Sequence, residues 1–215
     1  MSLLMFDHQE HAALIVTDTL ATTIAGEPLI FQSKAWPLPQ LNMGLAVTGL
    51  GNLGAIWNDC LHSSLVARDI TMVNNFAPEQ LQRLWSEYQA ENQSEQEIPT
   101  GTIYHFGFPE GSDRLVRYVY RSTQNFESEL WDEPGFGIKP VPESTFDPPE
   151  NIDDWIELAE RVRAEQDSVP ISERINIGGE LFLLMIQNGQ THTVRVHRFG
   201  DYEQTWLAMN ALLHR

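Results

Sequence analysis

Residues 12–54 constrain the fold most, because short apolar runs alternate there with polar turns. The runs cover residues 12–16, 29–31 and 43–47. Their shortness favours β-strands over helices. Asp18 follows the first run, Lys34 follows the second, and the glycine-rich residues 48–54 lead into a helical pattern. This stretch therefore predicts adjacent strands that carry one carboxylate and one ammonium beside a strand-to-helix turn.

The rest of the chain predicts further strands and helices in separate blocks. Apolar or alternating patterns predict strands at residues 1–6, 102–108, 115–122, 136–140, 180–187 and 191–198. The helical spacing of apolar residues predicts helices that begin near Asn52, Pro78, Ile152 and Tyr202, and Asn151 is the expected cap of the third. Pro37 and Pro39 indicate a loop, since proline is excluded from the centre of a sheet. Residues 89–97, which are rich in glutamine and charge, indicate a flexible link.

This order of elements indicates an α+β fold. Runs of hairpin strands alternate with helices, which is typical of layered antiparallel sheets and not of βαβ crossovers. Several strands are apolar along their whole length, so both of their faces need to be covered. We therefore expect a four-layer αββα sandwich, in which two stacked antiparallel sheets are flanked by helices, formed by a single domain of residues 1–215.

The composition excludes several classes of partner. The formal net charge is −17, from 30 acidic and 13 basic residues, and the basic residues form no cluster. Nucleic acids and anionic membranes bind clustered Lys and Arg, so we expect neither as a partner. The single cysteine, Cys60, allows no internal disulfide and suits a reducing compartment. With no signal peptide and no bilayer-spanning apolar run in this sequence, we expect a cytoplasmic protein.

Four short stretches resemble motifs of one protein family, in the same order along the chain. They are residues 14–22, which hold Asp18 before an Ala-Thr turn; Lys34; residues 46–49 before the first predicted helix; and Gly178-Gly179 before an apolar strand that ends at Asn188-Gly189. Together these stretches resemble the proteasome-like members of the N-terminal nucleophile (Ntn) hydrolase superfamily. The resemblance implies a hydrolase of amide or peptide bonds that assembles with further copies of itself into a homo-oligomer.

The resemblance also implies a catalytic site formed by Ser2, Asp18 and Lys34. In that family the mature chain begins with its nucleophile, and the family's spacing counted back from Asp18 reaches Ser2, which removal of Met1 would expose. The freed α-amine titrates near pH 8 and could act as the general base for the hydroxyl. The Lys34 ammonium, held by Asp18, would lower the effective pKa of that hydroxyl.

The glycine-rich turn supplies the implied substrate-binding residues, Thr48, Gly49 and Gly51. Backbone N–H groups at the start of a helix can bind an oxyanion of the reacting amide. The implied substrate is a peptide or a small amide. The turn lacks the Lys-Ser/Thr pair of a P-loop, and we expect no cofactor.

A second function remains open. Arg174 and Ile177 occupy positions where the family has hydrogen-bonding residues beside the paired glycines. Met-Ser-Leu at the start is also a common expression scar, and a lone lysine such as Lys34 is typical of a strand edge. The alternative is a catalytically inactive protein of this fold that acts in binding or assembly.

Other reactive side chains give weaker signals. His8 and His11 flank a predicted turn with Asp7 and Glu10, but this spacing is a loose geometry for a metal ion. A solvated loop is the favoured interpretation, and we expect no metal site. Cys60 lies on the apolar face of its predicted helix, which favours a place in the core.

Overall fold

Strands make up more of the elements than helices do in the computed structural model, which describes residues 2–23, 25–63, 66–91, 100–171 and 173–213. In chain order the strands are β1 (Leu4–His8), β2 (Ala12–Asp18), β3 (Leu20–Thr22), β4 (Pro28–Phe31), β5 (Ala35–Leu38), β6 (Met43–Gly49), β7 (Gly101–Gly107), β8 (Val116–Arg121), β9 (Ser128–Trp131), β10 (Gly135–Lys139), β11 (Glu180–Gln187) and β12 (Gln190–Arg198). The helices are α1 (Gly51–Ser63), α2 (Ile70–Glu91), α3 (Ile152–Asp167) and α4 (Tyr202–Leu213).

The strands form three antiparallel sheets. One five-stranded sheet has the order β10-β1-β2-β11-β12, and the other has the order β5-β6-β7-β8-β9. The third sheet is the hairpin β3-β4. Apolar side chains from both five-stranded sheets share one core cluster, which includes Phe6 and Ile186 from the first sheet and Phe106 from the second. The two larger sheets therefore bury their facing surfaces against each other.

The helices cover other apolar surfaces. Leu53, Trp57 and Leu61 of α1 share a core cluster with residues of α2 and of β5 to β8. Trp155 and Leu158 of α3 pack in a further cluster with residues of β1, β2 and β11. Helix α4 packs against β4, where the rings of Tyr202 and Phe31 stack with centroids 4.7 Å apart.

The predicted four-layer αββα sandwich is wrong. The structure is a β-rich α+β fold of three antiparallel sheets with four helices over its described residues. The third sheet arises because Thr19 and Leu20 both donate their backbone N–H groups to the carbonyl oxygen of Gly178, which ends the pairing of β2 with β11. The chain then turns into a separate hairpin, and α4 packs on that hairpin.

Several local predictions also need correction. Pro37 lies in β5 and not in a loop, and β5 is an edge strand, where a missing N–H is tolerated. Pro78 does not start a helix but lies inside α2, which begins at Ile70. The carboxylate of the preceding residue, Asp69, accepts a hydrogen bond from Met72 N in the first turn of this helix. Asp7 and His8 belong to β1, and most of the predicted flexible link lies in residues 92–99, outside the described residues.

Other predictions are confirmed. The strand predicted at residues 180–187 is β11, and the helix predicted from Ile152 is α3. Asn151 caps α3, since its side chain accepts from the N–H groups of Asp153 and Asp154 while the Asp154 side chain bonds back to it. None of the helices in the described ranges combines the length and the apolar character that crossing a membrane requires.

The core beside α1 holds one buried histidine. His105 on β7 is fully buried, and its Nε2 accepts a hydrogen bond of 2.8 Å from Trp57 Nε1. Because Nε2 is the acceptor, the proton of the neutral ring lies on Nδ1, which has no hydrogen-bond partner within the described ranges. Burial lowers the pKa of His105 to about 3, so the ring is neutral at physiological pH.

Acidification should destabilise the protein through this histidine. Between the ordinary pKa of 6.5 and the buried value of about 3, the unfolded state binds more protons, so the free energy of unfolding falls as the pH falls. The slope approaches about 1.4 kcal/mol per pH unit. Urea denaturation at several pH values, on the wild type and on His105→Gln, measures this slope. Glutamine keeps an acceptor for Trp57 but does not titrate, so equal slopes in the two proteins would contradict the buried neutral ring.

Candidate functional site

A buried lysine lies at the centre of the candidate site. Lys34 immediately precedes β5 and is 2% exposed. Its Nζ donates hydrogen bonds to the Asp18 carboxylate at 2.7 Å and to the carbonyl oxygen of Leu20 at 2.6 Å. Burial lowers the pKa of the Lys34 ammonium, and the neighbouring carboxylate opposes this shift. The side chain is therefore an internal cation with a counterion and not a lysine on a solvated strand edge.

Asp18 joins three parts of the chain. Its Oδ1 accepts from Leu3 N at 3.0 Å as well as from Lys34, and its Oδ2 accepts from Gly178 N at 3.2 Å. Asp18 is completely buried, so these hydrogen bonds replace its hydration. The carboxylate thus fixes the start of β1, the lysine and the glycine pair before β11 relative to one another.

The glycine pair needs its glycines for steric reasons. Gly179 has a φ of +78°, and a Cβ there would lie 2.3 Å from Thr19 Oγ1. The same Thr19 hydroxyl accepts a hydrogen bond of 2.9 Å from Glu180 N. Only glycine allows this close approach between the turn and the end of β2.

The two residues that depart from the family pattern make other contacts, and the described hydrogen bonds to the Asp18 carboxylate come from Leu3, Lys34 and Gly178. The Arg174 guanidinium faces Asp167 and Asn176, with nitrogen–oxygen distances of 3.5 Å and 3.0 Å. Ile177 is buried in the cluster that packs against α3. The hydrogen-bonding support in this region comes from the backbone N–H of Gly178, which the sequence motif alone did not reveal.

A cavity of about 300 Å³ opens beside Ser2. It is lined by Ser2, Thr48, Gly49, Thr100, Thr102, Lys139, Pro140, Val141 and Ile175. Ser2 is 5% exposed, and the next residue, Leu3, is the one bound to Asp18. Met1 lies outside the described residues. The structure therefore brings Ser2 together with two of the predicted substrate-binding residues.

The three predicted substrate-binding residues do not share one environment. Thr48 and Gly49 line the cavity at the end of β6. Gly49 has a φ of +92°, and a Cβ there would lie 2.0 Å from the carbonyl oxygen of Thr100, so a side chain would not fit. Gly51 is the first residue of α1 and faces the side chain of Gln32 instead of the cavity.

Comparison with solved structures identifies similar folds. No protein-family model and no curated protein sequence matches this chain. An Anbu Gly-1 mutant from Hyphomicrobium sp. strain MC1 matches with a TM-score of 0.59 and 12% identity over 100% of this chain and 94% of that one. Anbu (ancestral beta-subunit) from Yersinia bercovieri matches with a TM-score of 0.59 and 12% identity over 99% and 93% of the two chains. The helical assembly of the Anbu complex from Pseudomonas aeruginosa matches with a TM-score of 0.60 and 14% identity over 99% and 94%.

The chain has an Anbu-like fold. Anbu proteins are proteasome-like, so the proteasome-like part of the expectation is confirmed at the level of fold. The predicted membership in the Ntn hydrolase superfamily is wrong, because these neighbours form a distinct family and indicate no Ntn hydrolase fold. The prediction rested on short motifs around Asp18, Lys34 and the paired glycines. Such motifs describe local turns and buried contacts, which do not define a family.

The other reactive side chains, those of His8, His11 and Cys60, contact the surrounding fold. His8 is buried in β1, and its Nε2 lies 3.2 Å from the carbonyl oxygen of Leu115. His11 Nδ1 lies 2.8 Å from the carbonyl oxygen of Asp113. Cys60 packs at the border of the core between α1 and α2, and burial raises the pKa of its thiol. Across the described ranges, no group of three or more His, Cys, Asp or Glu side chains could hold a metal ion.

Removing one partner of the buried ion pair should lower the stability of the protein. Asp18→Asn leaves the Lys34 ammonium buried without a counterion, and we expect a loss of about 3–5 kcal/mol in the free energy of unfolding. The double variant Asp18→Asn/Lys34→Met should recover part of this loss. Urea denaturation measures both values.

The exposed pair Arg83–Glu87 provides the control. Its nitrogen–oxygen distance is 3.9 Å on the surface of α2, so Glu87→Gln should cost no more than about 0.5 kcal/mol. If Asp18→Asn costs no more than Glu87→Gln, Asp18 does not hold the site together.

Proposed function

We propose that the protein hydrolyses amide or peptide bonds with Ser2 as an N-terminal nucleophile after removal of Met1. The observation that carries the proposal is the hydrogen bonding of Asp18 Oδ1, which accepts from both Leu3 N and Lys34 Nζ. This arrangement holds the residue after Ser2 and the buried ammonium on one carboxylate oxygen. Ser2 itself lines a cavity beside them.

Each residue has a defined role in the proposed reaction. The α-amine of Ser2 takes the proton of the Ser2 hydroxyl, whose Oγ attacks the amide carbon. The tetrahedral intermediate collapses, and the proton passes to the leaving amine. Water then hydrolyses the resulting ester and restores Ser2.

Lys34 supplies the electrostatic part of this mechanism. An ammonium has three N–H donors. Lys34 uses two of its donors in hydrogen bonds to the Asp18 carboxylate and to the carbonyl oxygen of Leu20. We assign the third donor to the Ser2 hydroxyl, whose alkoxide the positive charge would stabilise. We assign the oxyanion to the backbone at Thr48 and Gly49, because these residues line the same cavity as Ser2.

A β-lactone that acylates hydroxyl groups tests this proposal. The wild type should gain the mass of one lactone on Ser2, whereas Ser2→Ala should gain none and Ser112→Ala, on an exposed loop, should be labelled as the wild type is. Lys34→Met should slow labelling by about 100-fold or more, with its fold verified by circular dichroism. Tandem mass spectrometry locates the adduct.

The natural start of the chain is a second requirement. Mass spectrometry of the natively expressed protein should show a mature chain that begins at Ser2. A chain that begins elsewhere, or equal labelling of Ser2→Ala and the wild type, would overturn the hydrolase and leave the alternative, a catalytically inactive protein that acts in binding or assembly.

A separate observation favours self-association. The hairpin β3-β4 and the helix α4 that packs on it carry large exposed apolar side chains, namely Leu29 (60% exposed), Ile30 (50%), Trp206 (46%) and Leu207 (59%). Exposed apolar patches of this kind are typical of protein interfaces. The Anbu complex from Pseudomonas aeruginosa forms a helical assembly. We propose that this chain also forms a homo-oligomer, with α4 in the contact.

Light scattering coupled to size exclusion tests the oligomer. The wild type should elute with a mass that is a multiple of the 24.5 kDa chain, and Trp206→Glu/Leu207→Glu should reduce it to one chain. Gln204→Glu is the control for added charge on the same helix. A monomeric wild type, or an oligomer that survives the double variant, would exclude α4 as the contact.

A further inference from the structure

A second, larger cavity lies between the two five-stranded sheets, and the proposed mechanism does not use it. Its volume is about 550 Å³, and its walls come from β1 and β10 of one sheet and from β7, β8 and β9 of the other. Most of the lining side chains are apolar or aromatic, including Leu4, Phe6, Trp131, Phe136 and Phe146. The cavity is therefore suited to the apolar body of a small molecule.

A buried arginine lines this cavity. Arg117 on β8 is only 3% exposed. Its guanidinium carbon lies 4.4 Å from the ring centroid of Phe6 and 4.7 Å from that of Trp131, and both rings line the same cavity. The aromatic rings thus lie against the faces of the guanidinium and hold this planar group in one orientation.

Two of the three guanidinium nitrogens of Arg117 lack a hydrogen-bond acceptor in the described part of the chain. Its Nε and Nη1 are buried and have no partner among the described residues. Glu129 pairs with Arg121, and Glu133, which lines the rim of the same cavity, is 84% exposed and lies 4.0 Å from Arg114. Stacking does not replace these acceptors, because the N–H groups lie in the plane of the guanidinium and point away from the rings.

The aromatic contacts alone do not compensate for the burial of the Arg117 charge. A cation–π contact contributes about 0.5–2 kcal/mol, whereas burying an unpaired charge costs several kcal/mol. Burial lowers the pKa of Arg117 to about 10, so the group is still charged at neutral pH. Two further cations line the same cavity: Arg121, which pairs with Glu129, and Lys139, which lies 5.8 Å from the Tyr104 ring. An anion in the cavity would pair with the Arg117 guanidinium, which forms no ion pair with the carboxylates of the described residues.

We propose that this cavity binds a small carboxylate with an aromatic or aliphatic body. The carboxylate accepts hydrogen bonds from Arg117 with Lys139 nearby, and the body packs against Phe6, Trp131 and Phe136. A monoanion fits better than a phosphate dianion, because one buried guanidinium is set in mainly apolar walls. Lys139 and Val141 also line the cavity of Ser2, so the bound carboxylate would lie next to the candidate catalytic site.

Titration with 3-phenylpropionate tests this proposal, with calorimetry and Trp fluorescence as the measurements. The acid should bind saturably, and its uncharged amide, 3-phenylpropanamide, should bind at least about tenfold more weakly. Arg117→Gln should remove the preference for the acid over the amide, and Lys139→Gln, at an exposed position, should weaken binding of the acid several-fold. Arg83→Gln on the surface of α2 is the matched control and should bind as the wild type does.

Further arms identify the source of the carboxylate and separate the proposal from hydrolysis. If acetyl-Ala-Phe with a free carboxyl group binds more tightly than 3-phenylpropionate, and its amidated form does not, the carboxylate belongs to a peptide end. Ser2→Ala should bind the acid as the wild type does, since this site does not depend on Ser2. Equal affinity for acid and amide, or an unchanged preference in a folded Arg117→Gln, would overturn the proposal.

Discussion

The hydrogen-bonded pair of Asp18 and Lys34 is the interaction on which the rest of the site depends. Both side chains are almost completely buried, and the carboxylate also binds the backbone N–H groups of Leu3 and Gly178. A buried pair of this kind contributes little net stability compared with an apolar pair, but removing one member leaves an uncompensated charge. The pair therefore fixes the positions of β1, of the residue before β5 and of the turn before β11 at one point.

The two larger sheets bury charged groups in two different ways. Lys34 has its counterion and a backbone acceptor within the chain, whereas Arg117 has aromatic rings against its faces and, in the part of the chain that the structure describes, no acceptor for Nε and Nη1. The fold therefore supplies hydrogen-bond acceptors to Lys34, whereas for Arg117 it supplies aromatic rings that fix the orientation of the guanidinium. The cavity lined by Ser2 and the cavity lined by Arg117 share Lys139 and Val141, so the proposed reaction site and the proposed anion site adjoin each other.

Several features of the site could be predicted from the sequence because they depend on local order. The short apolar runs around Asp18 and Lys34 predicted strands, which the structure confirms as β2, β4 and β6. The prediction that these strands are adjacent is wrong, because they belong to three different sheets, and Asp18 and Lys34 meet through a side-chain hydrogen bond. Gly49 has the backbone conformation that favours glycine. The layer arrangement and the family assignment could not be predicted in this way. Short motifs do not determine that the hairpin β3-β4 forms a third sheet, or that α4 packs on it.

The sequence by itself determined the α+β class, the antiparallel pairing and the cap of α3, since periodicity and capping act over a few residues. Only the tertiary structure decided the partners of groups that are far apart in the chain. Asp18 and Gly178 are 160 residues apart, and Arg117 meets Phe6 across the interface between the sheets. The physical reason is that burial, which sets the state of Lys34, His105 and Arg117, depends on what the rest of the chain packs against each side chain.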